Sequence, residues 1–482
     1  MRKRPNFGNS SVRNKSNNED AAPTLSRRAM LTGSIGAAAF VAMPDIASAV
    51  TSASQVARSG GTASATPGHF FLYGITGPDS GPGASVQAVK SPTSSAAMAA
   101  PVSVITGLAA TPVISPDQAW LALVMVEMAT AGSTVTLSIV EKATALTVKK
   151  TVFTLPGIPA EASVLVTPVF SPDASVVSLV MAISTPGNKR LVRKADPLTG
   201  GFRTVLTSVW RSRHALAYFD RRTGTLAGPF YLNDEPSLAL STAVATATDL
   251  FIWTTKDPQA GTYTKNHPVA PPLPWISAFP LGSGKARFTV PSSAPWPGGE
   301  PASALANGDA ARFVNARTLQ VCSAKDGNLN EVAVAPLSAS RAKPSPVTMT
   351  VQPDGTLFLA KPSIGRAAII DPARSFSVKS DISFPVPANP FGGLLSKAVL
   401  SPSGDSLYVL GGAKAGGLSC YDVATSALIA SYSHGSQYSG VYQLSSGTLV
   451  AVSADNPRLT YFSPGLSPLA TADTSLLISA VY

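Results

Sequence analysis

The stretch Thr111-Pro112-Val113-Ile114-Ser115-Pro116-Asp117 recurs 56 residues later as Thr167-Pro168-Val169-Phe170-Ser171-Pro172-Asp173. Both copies run straight into an apolar segment. Looser copies follow: Val351-Gln352-Pro353-Asp354-Gly355 before Thr356-Leu357-Phe358, and Leu400-Ser401-Pro402-Ser403-Gly404 before Leu407-Tyr408-Val409. Gln443-Leu444-Ser445-Ser446-Gly447, before Thr448-Leu449-Val450, is more decayed. Proline fixes φ, and Asp or Ser with Gly closes a tight turn, so each copy starts a strand hairpin at a set place. A unit this short cannot bury its apolar face alone and must stack on further copies of itself.

The rest of the chain agrees with an all-β reading. Short Val, Ile, Leu, Thr and aromatic runs (Phe70 to Ile75, Leu121 to Met128, Leu250 to Thr255, Leu407 to Leu410) alternate with Gly, Pro, Asp and Asn turns, and no sustained helical spacing appears. The 41 prolines and 38 glycines are more than a helical chain would tolerate. Several units also carry a strand that ends in a polar turn, as in Tyr218-Phe219-Asp220-Arg221-Arg222-Thr223-Gly224 and Cys420-Tyr421-Asp422-Val423-Ala424-Thr425. Period and strand count fit a β-propeller, in which four-stranded blades stack around an axis. The strand phrases resemble the Ser-Pro-Asp-Gly and Tyr-Asp-x-x-Thr-Gly units of bacterial WD40-like and YVTN-type propellers, over roughly residues 105 to 460. About 415 residues at roughly 55 to 62 per unit predict seven four-stranded blades, with six and eight as the neighbouring counts. Phe70 to Ile75 is expected to pair with the last blade and close the ring. A pair of β-sandwiches is the alternative architecture.

Ahead of this domain, Ser26, Arg27, Arg28, Met30 and Leu31 precede an apolar run that ends at Met43, and Ala47-Ser48-Ala49 offers a small-x-small cleavage site. The pattern resembles the twin-arginine (Tat) signal of bacteria, which implies recognition by the Tat translocase, export of the folded chain and cleavage between Ala49 and Val50. Met30 and Thr32 depart from its commonest spelling. The run from Ala29 to Met43 holds 15 residues, short of the roughly 20 that span a bilayer. The organisation expected is a signal over residues 1–49, a Ser/Ala/Gly-rich linker over 50–66 and a propeller over 67–482, located outside the cytoplasm as an extracellular, envelope-associated or periplasmic protein.

Without its signal the chain has 30 Lys plus Arg against 23 Asp plus Glu. Between Lys189 and Arg222 lie nine basic residues (Lys189, Arg190, Arg193, Lys194, Arg203, Arg211, Arg213, Arg221, Arg222) against Asp196 and Asp220, so this short stretch matches the whole excess. A cluster of that kind attracts polyanions through a field that salt weakens. Outside the cytoplasm the candidates are a cell-wall polymer, an acidic glycan or a membrane surface, and nucleic acid is not expected. A different reading scatters these residues over several strands with no common face. From Thr262 to Ser303 the chain carries nine prolines together with Trp275 and Trp296, which either stack on a sugar or peptide or pin the excursion to the blade edges.

Chemistry is sparse. His69, His214, His267 and His434 form no His-x-His or Glu-x-x-His motif, no Gly-x-Ser-x-Gly elbow is present, and Cys322 and Cys420 lack zinc spacing. No metal site and no cofactor is therefore predicted, although ligands gathered from several blades would leave no local motif. The two cysteines read as buried small hydrophobes rather than a disulfide. Asp117 and Asp173 read as turn formers, and Glu127 and Glu141 are the carboxylates left to face a channel. The resemblance to YVTN-type propellers implies one enzymatic alternative, a lactonase-like hydrolase with His, Glu and Arg on the channel floor, and a propeller oxidoreductase is a second. No motif anchors either site here. The expected function is a noncatalytic binding or scaffold module at the cell envelope.

Overall fold

The computed structural model describes residues 69–482 except 77–83, 91–101, 109, 130–131, 196–201, 233–237, 257–274, 293–300, 315–317, 339–346, 387–397, 412–416, 434–437, 445–446 and 454–455. The expected twin-arginine signal and linker lie outside the described residues.

Eight four-stranded antiparallel sheets follow one another along the chain, each a blade. Blade 1 comprises Val113–Ile114, Trp120–Ala129, Gly132–Glu141 and Thr147–Leu155. Blade 2 comprises Ser163–Phe170, Val176–Ala195, Phe202–Asp220 and Leu226–Tyr231, and blade 3 comprises Leu238–Ala245, Asp249–Lys256, Trp275–Pro280 and Phe288–Pro291. Blades 4 to 7 have first strands at Ala302–Ala304, Thr348–Val351, Ala398–Leu400 and Tyr438–Gln443. Blade 8 joins the two ends of the described chain. Its first strand is Leu476–Val481 and the other three are His69–Thr76, Ala84–Lys90 and Val102–Leu108. Tyr73 pairs with Ala480, and Phe71 and Tyr482 exchange two backbone hydrogen bonds of 2.9 Å. The expected ring closure by Phe70 to Ile75 is present, and it ties the first and last parts of the described chain into one blade, so that blade 8 covers the apolar faces of blades 7 and 1.

The count of seven is corrected to eight. First strands begin at intervals from 75 residues (Ser163 to Leu238) down to 38 (Tyr438 to Leu476), so the 56-residue echo overstates the later units. The repeated turn is also absent from one blade for a topological reason. In blades 1 to 7 a turn of varying length joins strand 1 to strand 2 and is closed by one backbone bond: Ser115 N to Trp120 O, Ser171 N to Val176 O, Thr246 N to Asp249 O, Leu305 N to Asp309 O, Gln352 N to Thr356 O, Ser401 N to Ser406 O and Leu444 N to Thr448 O. Blade 8 has no such turn, because Tyr482 ends its first strand and His69 begins its second.

One apolar cluster fills each interface between neighbouring blades. Val177, Leu179 and Met181 of blade 2 meet Val135, Leu137 and Ile139 of blade 1, and Phe71, Val86 and Ala88 of blade 8 close on Ile114, Leu121 and Leu123 of blade 1. Period-2 alternation supplies this, since successive residues of each central strand face opposite neighbours and both faces are buried. Cys322 and Cys420 occupy such positions as free thiols, buried as expected.

Candidate functional site

Antiparallel strands give the ring two unlike faces. On one, the turn face, strand 1 turns into strand 2 and strand 3 into strand 4. On the other, the crossover face, strand 2 connects to strand 3 and each blade passes to the next.

The turn face holds most of the acidic groups, and they bond to their own turns. Asp117 accepts from Ala119 N at 3.1 Å and from the Ser115 hydroxyl, and Asp173 accepts from Ser175 N at 3.1 Å and Ser171 Oγ at 2.6 Å. Asp220 accepts from Arg222 N at 2.8 Å and Thr223 N at 2.9 Å, and Asp422 from Thr425 N at 2.7 Å. Hydrogen bonds from Thr223 hold the Asp220 carboxyl below the usual carboxylate range, and those from Thr425 do the same for Asp422. Asp249 has no exposed surface on its side chain. It pairs with Arg287 Nη2 at 2.8 Å and accepts from Thr248 Oγ1 at 2.6 Å, while Arg287 Nη1 reaches across to Ala324 O of blade 4 at 3.0 Å. These are structural uses of charge, as the sequence suggested for Asp117 and Asp173.

The axis of the ring is lined by the eight first strands, and none of them contains Asp, Glu, His, Lys or Arg. Their titratable side chains are the phenols Tyr438 and Tyr442, the second of which donates to Ser479 O at 3.2 Å. Glu127 and Glu141 sit on strands 2 and 3 of blade 1, away from the axis, and Glu141 accepts from Thr144 Oγ1. His69 is hydrogen-bonded through Nδ1 to Ala143 O at 3.1 Å, and His214 is buried in strand 3 of blade 2. His267 and His434 lie outside the described residues. Among the described residues no three His, Cys, Asp or Glu side chains gather as a metal site.

The basic cluster is placed by one long hairpin. Strands 2 and 3 of blade 2 pair continuously from Asp220 opposite Val176 to Phe202 opposite Ala195, with one bulge between Ser208 and Trp210. Their outer neighbours stop well short: strand 1 pairs only as far as Ser184, and strand 4 as far as Ala215, with Leu232 N adding one bond to His214 O. Beyond those points the hairpin is a two-stranded ribbon extending from the crossover face. Lys189, Arg190, Arg193, Lys194, Arg203 and Arg211 all fall on it. Arg213 stands at its root, with its guanidinium 4.7 Å from the centre of the Tyr231 ring.

Arg221 and Arg222 are separated from that group. They follow Asp220 on the turn face, about 60 Å from Phe202 at roughly 3.3 Å per residue. Arg221 is an inter-blade clamp: its guanidinium lies 4.3 Å from the centre of the Trp120 ring, and Nε donates to Ala174 O at 2.8 Å. Arg222 is exposed. Trp275 opens strand 3 of blade 3, its backbone N donating to Thr254 Oγ1 at 2.9 Å and its carbonyl accepting from the same hydroxyl, and it packs on the cluster between blades 2 and 3. Trp296 lies outside the described residues.

No family model matches the chain, and no curated protein matches it. Solved structures similar to it include AztD from Citrobacter koseri, at 11% identity over 86% of this chain and 97% of that chain with a TM-score of 0.44. BamB from Moraxella catarrhalis matches at 13% identity over 73% and 87% with a TM-score of 0.42. Dipeptidyl peptidase 4 from Porphyromonas gingivalis matches at 11% over 82% and 56% with a TM-score of 0.43. Likeness at this level concerns fold alone and assigns no activity.

Proposed function

We propose that the chain is exported through the twin-arginine pathway and acts as a noncatalytic binding propeller at the cell envelope. One observation carries the noncatalytic part: the eight strands around the axis offer no carboxylate, imidazole, ammonium or guanidinium, whereas hydrolysis or redox chemistry in a channel needs convergent acid, base or metal-ligating groups. The described carboxylates of the turn face support the same reading, since they are engaged by turn amides and hydroxyls. The export part is supported by Ser26 to Leu31 and by the Ala47-Ser48-Ala49 site.

The test is native mass spectrometry with elemental analysis of protein exported from a bacterial host by its own signal, beside a variant carrying Arg27→Lys and Arg28→Lys. The expected product has the mass of Val50 to Tyr482 with no stoichiometric adduct, and the double-lysine variant accumulates inside the cell. A stoichiometric metal or organic adduct overturns the noncatalytic reading. Export that ignores Arg27 and Arg28 overturns the route.

A further inference from the structure

We infer that the ribbon of blade 2 is a docking arm that grips a linear phosphodiester polymer on both of its faces. This rests on the reading of the chain as an envelope binding module and names the ligand class of that module.

Three features of the ribbon point this way. First, it projects. The stretch from Thr185 to Ala195 extends about 35 Å at roughly 3.3 Å per residue, and no described strand pairs with it apart from its own partner. An isolated two-stranded ribbon is marginally stable by itself, so the length needs a use beyond folding.

Second, the ribbon is basic throughout. Thr185 to Ala195 and Phe202 to His214 contain no Asp or Glu and seven Lys or Arg: Lys189, Arg190, Arg193, Lys194, Arg203, Arg211 and Arg213. Lys194 is directly opposite Arg203. Like charges facing each other across an antiparallel pair are destabilising until an anion lies between or beside them.

Third, the register distributes the charge over both faces. With a period of two, Lys189, Leu191 and Arg193 share one face with Thr204, Leu206 and Ser208, and Arg190, Val192 and Lys194 share the other with Arg203, Val205 and Thr207. Each face thus has one apolar cross-strand pair flanked by cations. A bilayer surface would meet one face and leave the other in water. A linear polyanion can lie along either face, and the guanidinium fork suits phosphate oxygens.

The experiment uses the exported chain with poly(glycerol phosphate) as the probe and vesicles of phosphatidylglycerol and phosphatidylethanolamine as the comparison. Binding to the polymer is expected to fall about 10³-fold between 50 and 200 mM salt, as for other proteins that engage six or more phosphates. Two variants reverse one face each, Lys189→Glu with Arg193→Glu and Arg190→Glu with Lys194→Glu. Each is expected to weaken binding at least about tenfold without moving the unfolding midpoint, because the ribbon lies outside the blade interfaces. A control with Arg222→Glu and Lys285→Glu changes net charge equally on the turn face and is expected to stay within about twofold.

Preferential binding to vesicles, an effect from only one face, or an equal effect of the control overturns the inference. Failure of the envelope reading is seen separately. If the chain is not exported yet binds the polymer through both faces, the arm stands and the location falls.

Discussion

Removing the guanidinium of Arg287 should cost more than removing any exposed cation of this protein. Asp249 lies where blade 3 turns from strand 1 to strand 2, its side chain wholly buried while that of Arg287 is 41% exposed. At about 4 Å between charge centres the attraction is roughly 4 kcal/mol at an effective dielectric of 20 and about 1 kcal/mol in bulk water. The half-exposed partner puts the pair between these limits, so Arg287→Met is expected to destabilise by about 2 kcal/mol. Most of that is the penalty of a buried carboxylate left with only the Thr248 hydroxyl. Part of the cost also comes from the lost bond to Ala324 O, which joins blade 3 to blade 4. A double-mutant cycle separates the two. Urea unfolding of Arg287→Met, Asp249→Asn and the double variant should give a coupling of at least about 1 kcal/mol, the double variant being less damaged than the sum of the singles. Strictly additive costs, or a loss below about 0.5 kcal/mol for Arg287→Met, would refute the account of Asp249 as a buried charge neutralised by Arg287.

Four further outcomes are expected. Arg221→Ala should lower stability by about 1 to 2 kcal/mol through loss of the contact with Trp120 and the bond to Ala174 O, whereas Arg222→Ala should leave the urea midpoint unchanged. Gln118 holds φ at 61° at the position where blades 5 and 6 have Gly355 and Gly404, so Gln118→Gly should stabilise by about 0.5 to 1 kcal/mol in the same assay. Burial pushes the Cys322 thiol up to about 12, so a thiol reagent at pH 8 should label neither cysteine until the chain unfolds, and rapid labelling of native protein would contradict the packing. Hydrogen bonds from Ser403, Ser401 and Ser406 depress the Asp405 carboxyl, so its contribution is present above the unfolded value of about 3.9 and lost as pH falls through the depressed native value; Asp405→Asn should flatten the acid limb of a stability-against-pH curve below about pH 4.

Five of the seven strand 1 to strand 2 turns were legible because Pro, Asp, Ser and Gly are the residues that such a turn selects. Those of blades 3 and 4 escaped because they are shorter than those of blades 1, 2 and 6, closed by Thr246 to Asp249 and Leu305 to Asp309, with no Ser-Pro phrase to mark them. The eighth blade left no turn at all, being built from both ends of the chain. That is why a period count fell one short while the closure by Phe70 to Ile75 was still readable from its apolar run. The basic cluster was legible as composition but not as geometry. Nothing in the spacing of Arg213 and Arg221 says that one stands at the root of a ribbon and the other clamps Trp120; both facts depend on where the neighbouring strands stop pairing. The emptiness of the axis was likewise hidden, since naming its lining requires knowing which strand of each blade is innermost.

The two faces divide the work of the molecule. Every blade from 1 to 7 closes its strand 1 to strand 2 turn with a backbone hydrogen bond on one face, so substitutions there are read as stability. On the crossover face most connections lie outside the described residues. The basic ribbon of blade 2 extends from that face, on which strand 2 of the neighbouring blade 3 ends at Lys256 and its strand 3 begins at Trp275. His69, by contrast, is held on the turn face by Lys142 O and Ala143 O of blade 1. The point where the described chain enters the ring and the ribbon of blade 2 therefore lie on opposite faces.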